Sequence, residues 1–250
     1  MLSVLGYSSL KDFIADVVPE NIMIEKKLSE VLDTAKSEVE VIDELRALAS
    51  ENKVFTSLIG TGYYGTITPP VIKRNVLENP AWYTAYTPYQ PEISQGRLEA
   101  LFAFQTVITD MTSLAISNAS MLDESTAAAE AMTLARRTSK TSDDAVFLID
   151  RNVHPQTKAV VITRAKPLGI KVLEVDALAV DASLSFFGIL VQYPDTTGAI
   201  NDFSDLARHA HTKDALVIAA TDLLALTLIT APGEWGADIA VGSAQRFGVP

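Results

Sequence analysis

Cysteine is absent from the sequence, and this absence excludes disulfide scaffolds, thiolate zinc sites and cysteine nucleophiles. Basic residues are scarce, since 20 Lys and Arg stand against 31 Asp and Glu, for a formal net charge of -11. Nucleic acid and anionic membranes are therefore not expected partners, because proteins bind them through clusters of positive charge. Long apolar runs are missing too: stretches such as 223–231 are too short to span a bilayer, and no continuous apolar core of a signal peptide follows Met1.

The residues that are present suffice for one large domain. Of the 250 residues, 48% are hydrophobic and 20% are charged, which is enough to build a sizeable core. We expect a helical N-terminal segment over 1–51, followed by an α/β domain over 52–250. Residues 236–250 run from a strand pattern into a loop without a closing helix, and this pattern predicts that the sequence is a fragment.

Helical patterns dominate the first part of the chain. We expect helices over 10–17, 28–49, 69–78 and 95–112. Ser8 or Ser9 is the expected N-cap of the first helix, and Thr68 and Ser94 are those of the last two. The apolar spacing of 28–49 predicts an amphipathic helix that lies on a core.

Beyond residue 110 the pattern alternates between helical and extended segments. Helices are expected over 125–138, 155–166 and 202–212, and strands over 145–149, 170–175, 186–192, 216–220 and 238–242. This alternation is typical of βαβ units and predicts a mainly parallel sheet flanked by helices.

Two motifs resemble ligand sites by their letters alone. Residues 60–65 match G-x-G-x-x-G, but the next helix is expected to start only at Pro69, so no helix N-terminus would face a pyrophosphate. His209 and His211 lie two residues apart on a predicted helix and point in different directions. Neither a nucleotide site nor a metal site is therefore expected.

Other polar residues leave two interpretations open. His154 follows the strand that ends near Asp150 and precedes a helix that begins with proline, where it is either a ligand-facing residue or an ordinary turn histidine. Tyr63 and Tyr64 stand between glycines in a loop-rich region. Their phenols either orient an amine or carboxylate substrate or hold loops on the surface.

Longer motifs carry a family resemblance. They are residues 62–75, 83–99, 118–132, 153–157 and 242–250. Through them the chain resembles the N-terminal half of the glycine cleavage system P-proteins, which are pyridoxal-phosphate-dependent glycine decarboxylases. The resemblance implies the large domain of the pyridoxal-phosphate-dependent transferase fold type I, in a degenerate half that is incomplete at its C-terminus.

The same resemblance implies an activity for the complete protein. Such an enzyme, an oxidoreductase, decarboxylates glycine on pyridoxal phosphate and transfers the aminomethyl group to the lipoyl arm of the H-protein. Its implied partners are a C-terminal half or second subunit that carries the cofactor lysine, the H-protein, glycine, and a second copy of the complete protein in a dimer. The implied compartment is the cytoplasm in a bacterium or the mitochondrial matrix in a eukaryote.

Pyridoxal phosphate requires a lysine, an acid at the pyridinium nitrogen, a ring-stacking group and helix amides for its phosphate. By the resemblance Gln245 stands at the lysine position, so no covalently bound cofactor and no catalytic residue are expected in this chain. Asp123 and Glu124 stand at the phosphate position, where their charge is expected to oppose a phosphate. Asp222 and His154 match the pyridinium acid and the ring-facing histidine, although Asp222 is equally explained as a helix cap.

The resemblance also bears on the tyrosine pair. It implies that Tyr63 and Tyr64 line the active site of the neighbouring half and help to exclude water from it. The alternative is a purely structural half that stabilises its partner and lines no part of the active site.

Overall fold

A computed structural model describes residues 1–24, 26–32, 34–58, 65–83 and 95–248. These residues form two units, of which the first ends at Leu58 and the second contains the rest. No helix in the described ranges is both long enough and apolar enough to cross a membrane.

The N-terminal unit consists of short helices. They are α1 (Leu10–Val17), α2 (Leu28–Val31) and α3 (Glu38–Ser50). Ser9, one of the two predicted caps, accepts a hydrogen bond from the Asp12 N–H at 3.1 Å. None of the residues described in this unit is buried, so the expected packing of an amphipathic helix on a core is not found within it.

The single helix predicted over 28–49 is wrong, because α2 ends at Val31 and α3 begins at Glu38. Ser37 and Glu40 form a capping box at the start of α3. The Glu40 carboxylate accepts the Ser37 N–H at 2.7 Å, and the Ser37 hydroxyl accepts the Glu40 N–H at 3.4 Å. Since this arrangement satisfies amides that a continuous helix would have bonded internally, it starts a new helix.

Three helices come first among the residues that the structure describes in the second unit. They are α4 (Pro70–Ile72), which continues as a wider π-helical turn over Lys73–Leu77, α5 (Pro80–Tyr83) and α6 (Arg97–Thr112). Thr68 does not cap α4, because Pro69 occupies the cap position without a side-chain hydrogen bond. Gly96 precedes α6 with a φ of 79°, and the predicted cap Ser94 lies outside the described residues.

A five-stranded parallel sheet forms the centre of the second unit. Its strands are β1 (Val146–Asp150), β2 (Val172–Val175), β3 (Phe186–Tyr193), β4 (Leu216–Thr221) and β5 (Ile239–Val241), in the order β2-β1-β3-β4-β5. Helices α7 (Glu124–Thr138), α8 (Pro155–Ala165) and α9 (Ser204–His211) alternate with them. The predicted α/β class and the mainly parallel sheet are confirmed.

Each face of the sheet carries its own apolar core. On one face, Met132 of α7 and Val161 of α8 pack with Phe187 and Leu190 of β3. On the other face, the buried rings of Tyr193, Phe203 and Trp235 lie 5.7 to 6.4 Å apart between centroids. Because both faces are covered, a ligand reaches the sheet at the ends of the strands, and parallel strands bring all their carboxyl ends to one edge.

Candidate functional site

A cavity of about 250 Å³ opens at the carboxyl edge of the sheet. The side chains that matter to its chemistry come from the start of α7 and from the ends of the strands or the segments that follow them. They are Glu124, His154, Gln192, Asp222, Gln245 and Arg246. Four of the residues singled out in the sequence therefore meet at one place, because the parallel topology brings the carboxyl ends of the strands together.

His154 is buried at the wall of this cavity, just after β1. Its Nδ1 lies 2.8 Å from Thr196 Oγ1. Burial lowers the pKa of the imidazole, although the nearby Asp195 carboxylate acts in the opposite direction. The ring is therefore mostly neutral at neutral pH and contributes little positive charge to the cavity.

Asp222, directly after β4, is held by Arg246. The guanidinium donates from Nη2 to Asp222 Oδ2 at 2.8 Å, and from Nε to the same oxygen at 3.1 Å. Asp222 Oδ1 also accepts the Leu224 N–H at 2.9 Å, two residues along the chain, as in an Asx turn. Asp222 is not the helix cap that the sequence also allowed, because the next helical turn begins only at Ala225, with Leu224 at its cap position. The carboxylate thus has both a cation and a backbone amide as partners.

Glu124 is the most perturbed group at this site. Only 8% of the residue is exposed, and burial raises the pKa of its carboxyl to about 7. A hydrogen bond from the Gln192 side chain acts against this rise, while the charges of Asp222 and Asp123 add to it. Burial therefore weakens the negative charge that the sequence led us to expect from Glu124 at this position.

Asp123 lies beside the cavity and caps α7. Its Oδ1 accepts the Thr126 N–H at 2.7 Å, and its Oδ2 accepts the Thr126 hydroxyl at 2.8 Å. These hydrogen bonds, the backbone one above all, hold the pKa of Asp123 below its ordinary value. Asp123 is therefore ionised at neutral pH and already occupies one amide at the helix N-terminus, where a phosphate would otherwise bind.

The residues of this cavity do not fit covalently held pyridoxal phosphate. No lysine is among the described residues that line it, and Gln245, in the turn over Ala244–Phe247, occupies the position implied for the lysine. The acid implied for the pyridinium nitrogen is bound by Arg246 instead. A cation at that carboxylate disfavours a second cationic partner such as a protonated ring nitrogen.

The tyrosine pair and the histidine pair of the sequence analysis have different outcomes. Tyr63 and Tyr64 lie outside the described residues, so their role stays a prediction. His211 Nε2 lies 3.0 Å from Asp238 Oδ2 at the opposite end of β5 from the cavity. Among the described residues, no group of three His, Asp or Glu side chains is placed to hold a metal ion.

Two cavity residues were not singled out by the sequence. Gln192 is a polar residue near the carboxyl end of the otherwise apolar strand β3, and only 3% of it is exposed. A polar residue within an apolar run could have identified Gln192 as a candidate site residue from the sequence. Arg246 is adjacent to Gln245, but its pairing with Asp222 is a tertiary contact that no local pattern announces.

Comparison with known proteins gives matches over the whole chain. The family model for the glycine cleavage system P-protein matches residues 1–250. A glycine dehydrogenase (decarboxylating) from Bradyrhizobium sp. strain BTAi1 is 59% identical over all of this chain and 26% of its own length, and one from Bordetella avium strain 197N is 57% identical with the same coverage. The chain thus spans about a quarter of the length of these curated relatives.

A solved structure agrees with the sequence matches. It is the crystal structure of a glycine decarboxylase (P-protein) of the glycine cleavage system in inhibitor-bound form, which superposes with a TM-score of 0.82 at 35% identity. The alignment covers 100% of this chain and 57% of that one. This likeness confirms the fold class expected from the sequence, and the match of the family model to every residue shows that the chain belongs to the glycine cleavage system P-protein family.

Proposed function

We propose that this chain is the N-terminal part of a glycine dehydrogenase (decarboxylating) and forms a half that does not itself hold the cofactor. One observation carries the second part of the proposal: the cavity at the carboxyl edge has Arg246 bound to Asp222 and no lysine among its described lining residues. The first part is supported by the family membership and by the names of the relatives.

The proposed reaction of the complete protein is the release of carbon dioxide from glycine, followed by transfer of the aminomethyl group to the lipoyl arm of an H-protein. Pyridoxal phosphate, bound to a lysine outside this chain, supplies the electron sink that such a decarboxylation needs. In this proposal the partners are a C-terminal half or second subunit, the H-protein, glycine and a second copy in a dimer.

The proposed contribution of this chain is to shape and close the active site of the neighbouring half. Tyr63 and Tyr64 are the residues assigned to it: their hydroxyls hold the glycine carboxylate and their rings help to exclude water. The neutral His154 and the paired Asp222 and Arg246 maintain the degenerate cavity and take no part in a covalent step.

The location of the cofactor can be tested by chemical trapping in the full-length protein. Borohydride reduction fixes pyridoxal phosphate to the lysine that holds it, and peptide mapping then identifies that lysine. We expect the modified lysine to lie beyond residue 250. Modification of one of this chain's own lysines, such as Lys158 or Lys213, would refute the assignment.

The role of the tyrosines can be tested in the same protein. We expect Tyr63→Phe and Tyr64→Phe to lower glycine-dependent carbon dioxide exchange with the H-protein by about 5- to 150-fold, because loss of one buried hydrogen bond costs about 1–3 kcal/mol. Tyr7→Phe is the matched control, since Tyr7 bonds to Asp16 in the N-terminal unit and should leave turnover unchanged. Full turnover in both Tyr63 and Tyr64 variants would favour the purely structural half instead.

A further inference from the structure

Among the described residues, three buried side-chain oxygens at the degenerate cavity have no hydrogen-bond partner. One is the Thr221 hydroxyl, which can donate as well as accept; the other two, Glu124 Oε1 and Gln192 Oε1, are acceptors. Both side chains line the cavity, and both are more than nine-tenths buried, with 8% and 3% of each residue exposed. A buried acceptor without a donor costs free energy, so a pair of them at one cavity wall marks a place where a donor belongs.

The charges around this wall favour a cationic donor. Asp222 and Arg246 neutralise one another, and burial keeps His154 mostly neutral. Asp195 adds a second carboxylate, which accepts hydrogen bonds from neighbouring backbone and side-chain groups. The balance at the cavity is therefore negative whenever Glu124 is ionised, and a positively charged ligand offsets it.

The chemistry of the two acceptors narrows the type of cation. One carboxylate oxygen and one amide oxygen are too few for a metal ion, which takes four or more ligands, and no group of three acidic or histidine side chains is available among the described residues. A primary ammonium group, by contrast, carries three N–H donors and is satisfied by two such oxygens and a water molecule. The volume of about 250 Å³ limits the rest of the ligand to a small molecule.

We propose that Glu124 and Gln192 bind the primary ammonium group of a small molecule in the degenerate cavity. The inference rests on the buried acceptors of this chain and does not depend on which residues carry out the proposed reaction. Glu124 supplies a charge-assisted acceptor and Gln192 a neutral one, both on the face of the sheet covered by α7.

Methylammonium is a suitable probe in the full-length protein. Saturation-transfer difference NMR of its methyl protons, at constant ionic strength, should detect binding. Tetramethylammonium has the same charge but no N–H donor, so it should not compete. Potassium is the probe for monovalent metal ions, and it should not displace methylammonium either.

Glu124→Gln should weaken methylammonium binding at this site by about 10-fold or more, because it removes the charged acceptor and keeps the shape of the side chain. Glu130→Gln is the matched control: Glu130 lies on the same helix but pairs with Arg164 outside the cavity. Glu130→Gln changes the net charge by the same amount as Glu124→Gln, but it should leave the affinity for methylammonium unchanged. Gln192→Met is a second variant of similar volume, and it should weaken binding several-fold through loss of the neutral acceptor.

The affinity should also increase with pH, because a proton and an ammonium group compete for Glu124. The groups that face or surround this carboxyl are Asp123, His154, Asp195, Asp222 and Arg246, and the Glu130→Gln control retains all of them. Equal binding in the wild type and in Glu124→Gln, competition by tetramethylammonium or potassium, or no detectable binding at pH 8 would each overturn the proposal. A loss of methylammonium affinity in Glu124→Gln and Gln192→Met, with none in Glu130→Gln, would support it.

Discussion

Replacement of Glu124 by glutamine should remove a pH dependence from the stability of this protein. The glutamine amide has nearly the same shape as the carboxyl and mimics its neutral form. In the wild type, burial raises the pKa of Glu124 from its ordinary value of 4.5 to about 7 in the folded state. The unfolded chain, in contrast, ionises this carboxyl at its ordinary pKa.

The sign and the size of the effect follow from this difference in pKa. Below pH 4.5 the carboxyl is protonated in both states, and the wild type has its full stability. Between pH 4.5 and about 7 the unfolded state loses the proton while the folded state keeps it, so the free energy of unfolding decreases as the pH rises. The total decrease corresponds to about 3 kcal/mol, at roughly 1.4 kcal/mol for each pH unit between the two pKa values.

Urea unfolding of both proteins at several values between pH 4 and pH 8 measures this quantity. The fluorescence of Trp235 is a suitable signal, because this side chain is buried against Tyr193 and Phe203 in the core of the sheet. Other titrating groups, including His154, are common to both proteins and cancel in the difference.

The wild type should lose about 3 kcal/mol relative to Glu124→Gln over this range. A Glu130→Gln control should run parallel to the wild type, because Glu130 is on the exposed side of the same helix and pairs with Arg164. If the wild type and Glu124→Gln remain parallel from pH 4 to pH 8, the carboxyl of Glu124 is not desolvated and the reasoning fails.

Two further predictions concern the walls of the same cavity. Arg246→Ala should lower the free energy of unfolding by about 1–3 kcal/mol, since it leaves the partly buried Asp222 without its cation; urea unfolding at pH 7 measures the loss, and Asp222→Asn in the same background should restore part of it. Gly242→Ala should destabilise the protein by more than about 1 kcal/mol, because its Cβ would lie only 2.4 Å from the Thr221 carbonyl oxygen. Gly65→Ala, where a Cβ meets nothing within 4 Å, should have a much smaller effect. Thermal unfolding of both glycine variants and of the wild type measures the two losses of stability.

The sheet could be predicted closely from the sequence, and the reason is physical. Buried parallel strands are continuous apolar runs, such as Phe186–Tyr193, and their ends are marked by polar or turn-forming residues. The error over 28–49 has an equally local cause. The apolar spacing continues through that region, but one helix ends at Val31, and the capping box of Ser37 and Glu40 begins another at Glu38.

The site could be predicted only in part. The position after a strand points to His154, whereas Asp222 and Gln245 were singled out through the family resemblance; the parallel sheet brings all three to one edge. The raised pKa of Glu124 could not be derived in this way, since it results from burial by residues far apart in the chain. The binding of Asp222 by Arg246 is likewise a consequence of β5 lying next to β4, which the sequence does not state.

The cavity itself depends on the topology and not on a cofactor. Parallel strands in the order β2-β1-β3-β4-β5 leave a crevice where the connections on either side diverge, and this crevice exists whichever side chains face it. That no lysine is among the described residues lining the cavity therefore does not close the space; it changes the chemistry of the walls. With Arg246 bound to Asp222, the acceptors of Glu124 and Gln192 and the Thr221 hydroxyl remain without a partner among the described residues of the cavity. The half that we propose to lack a covalently bound cofactor can for that reason retain a binding site, with a preference set by its remaining charge.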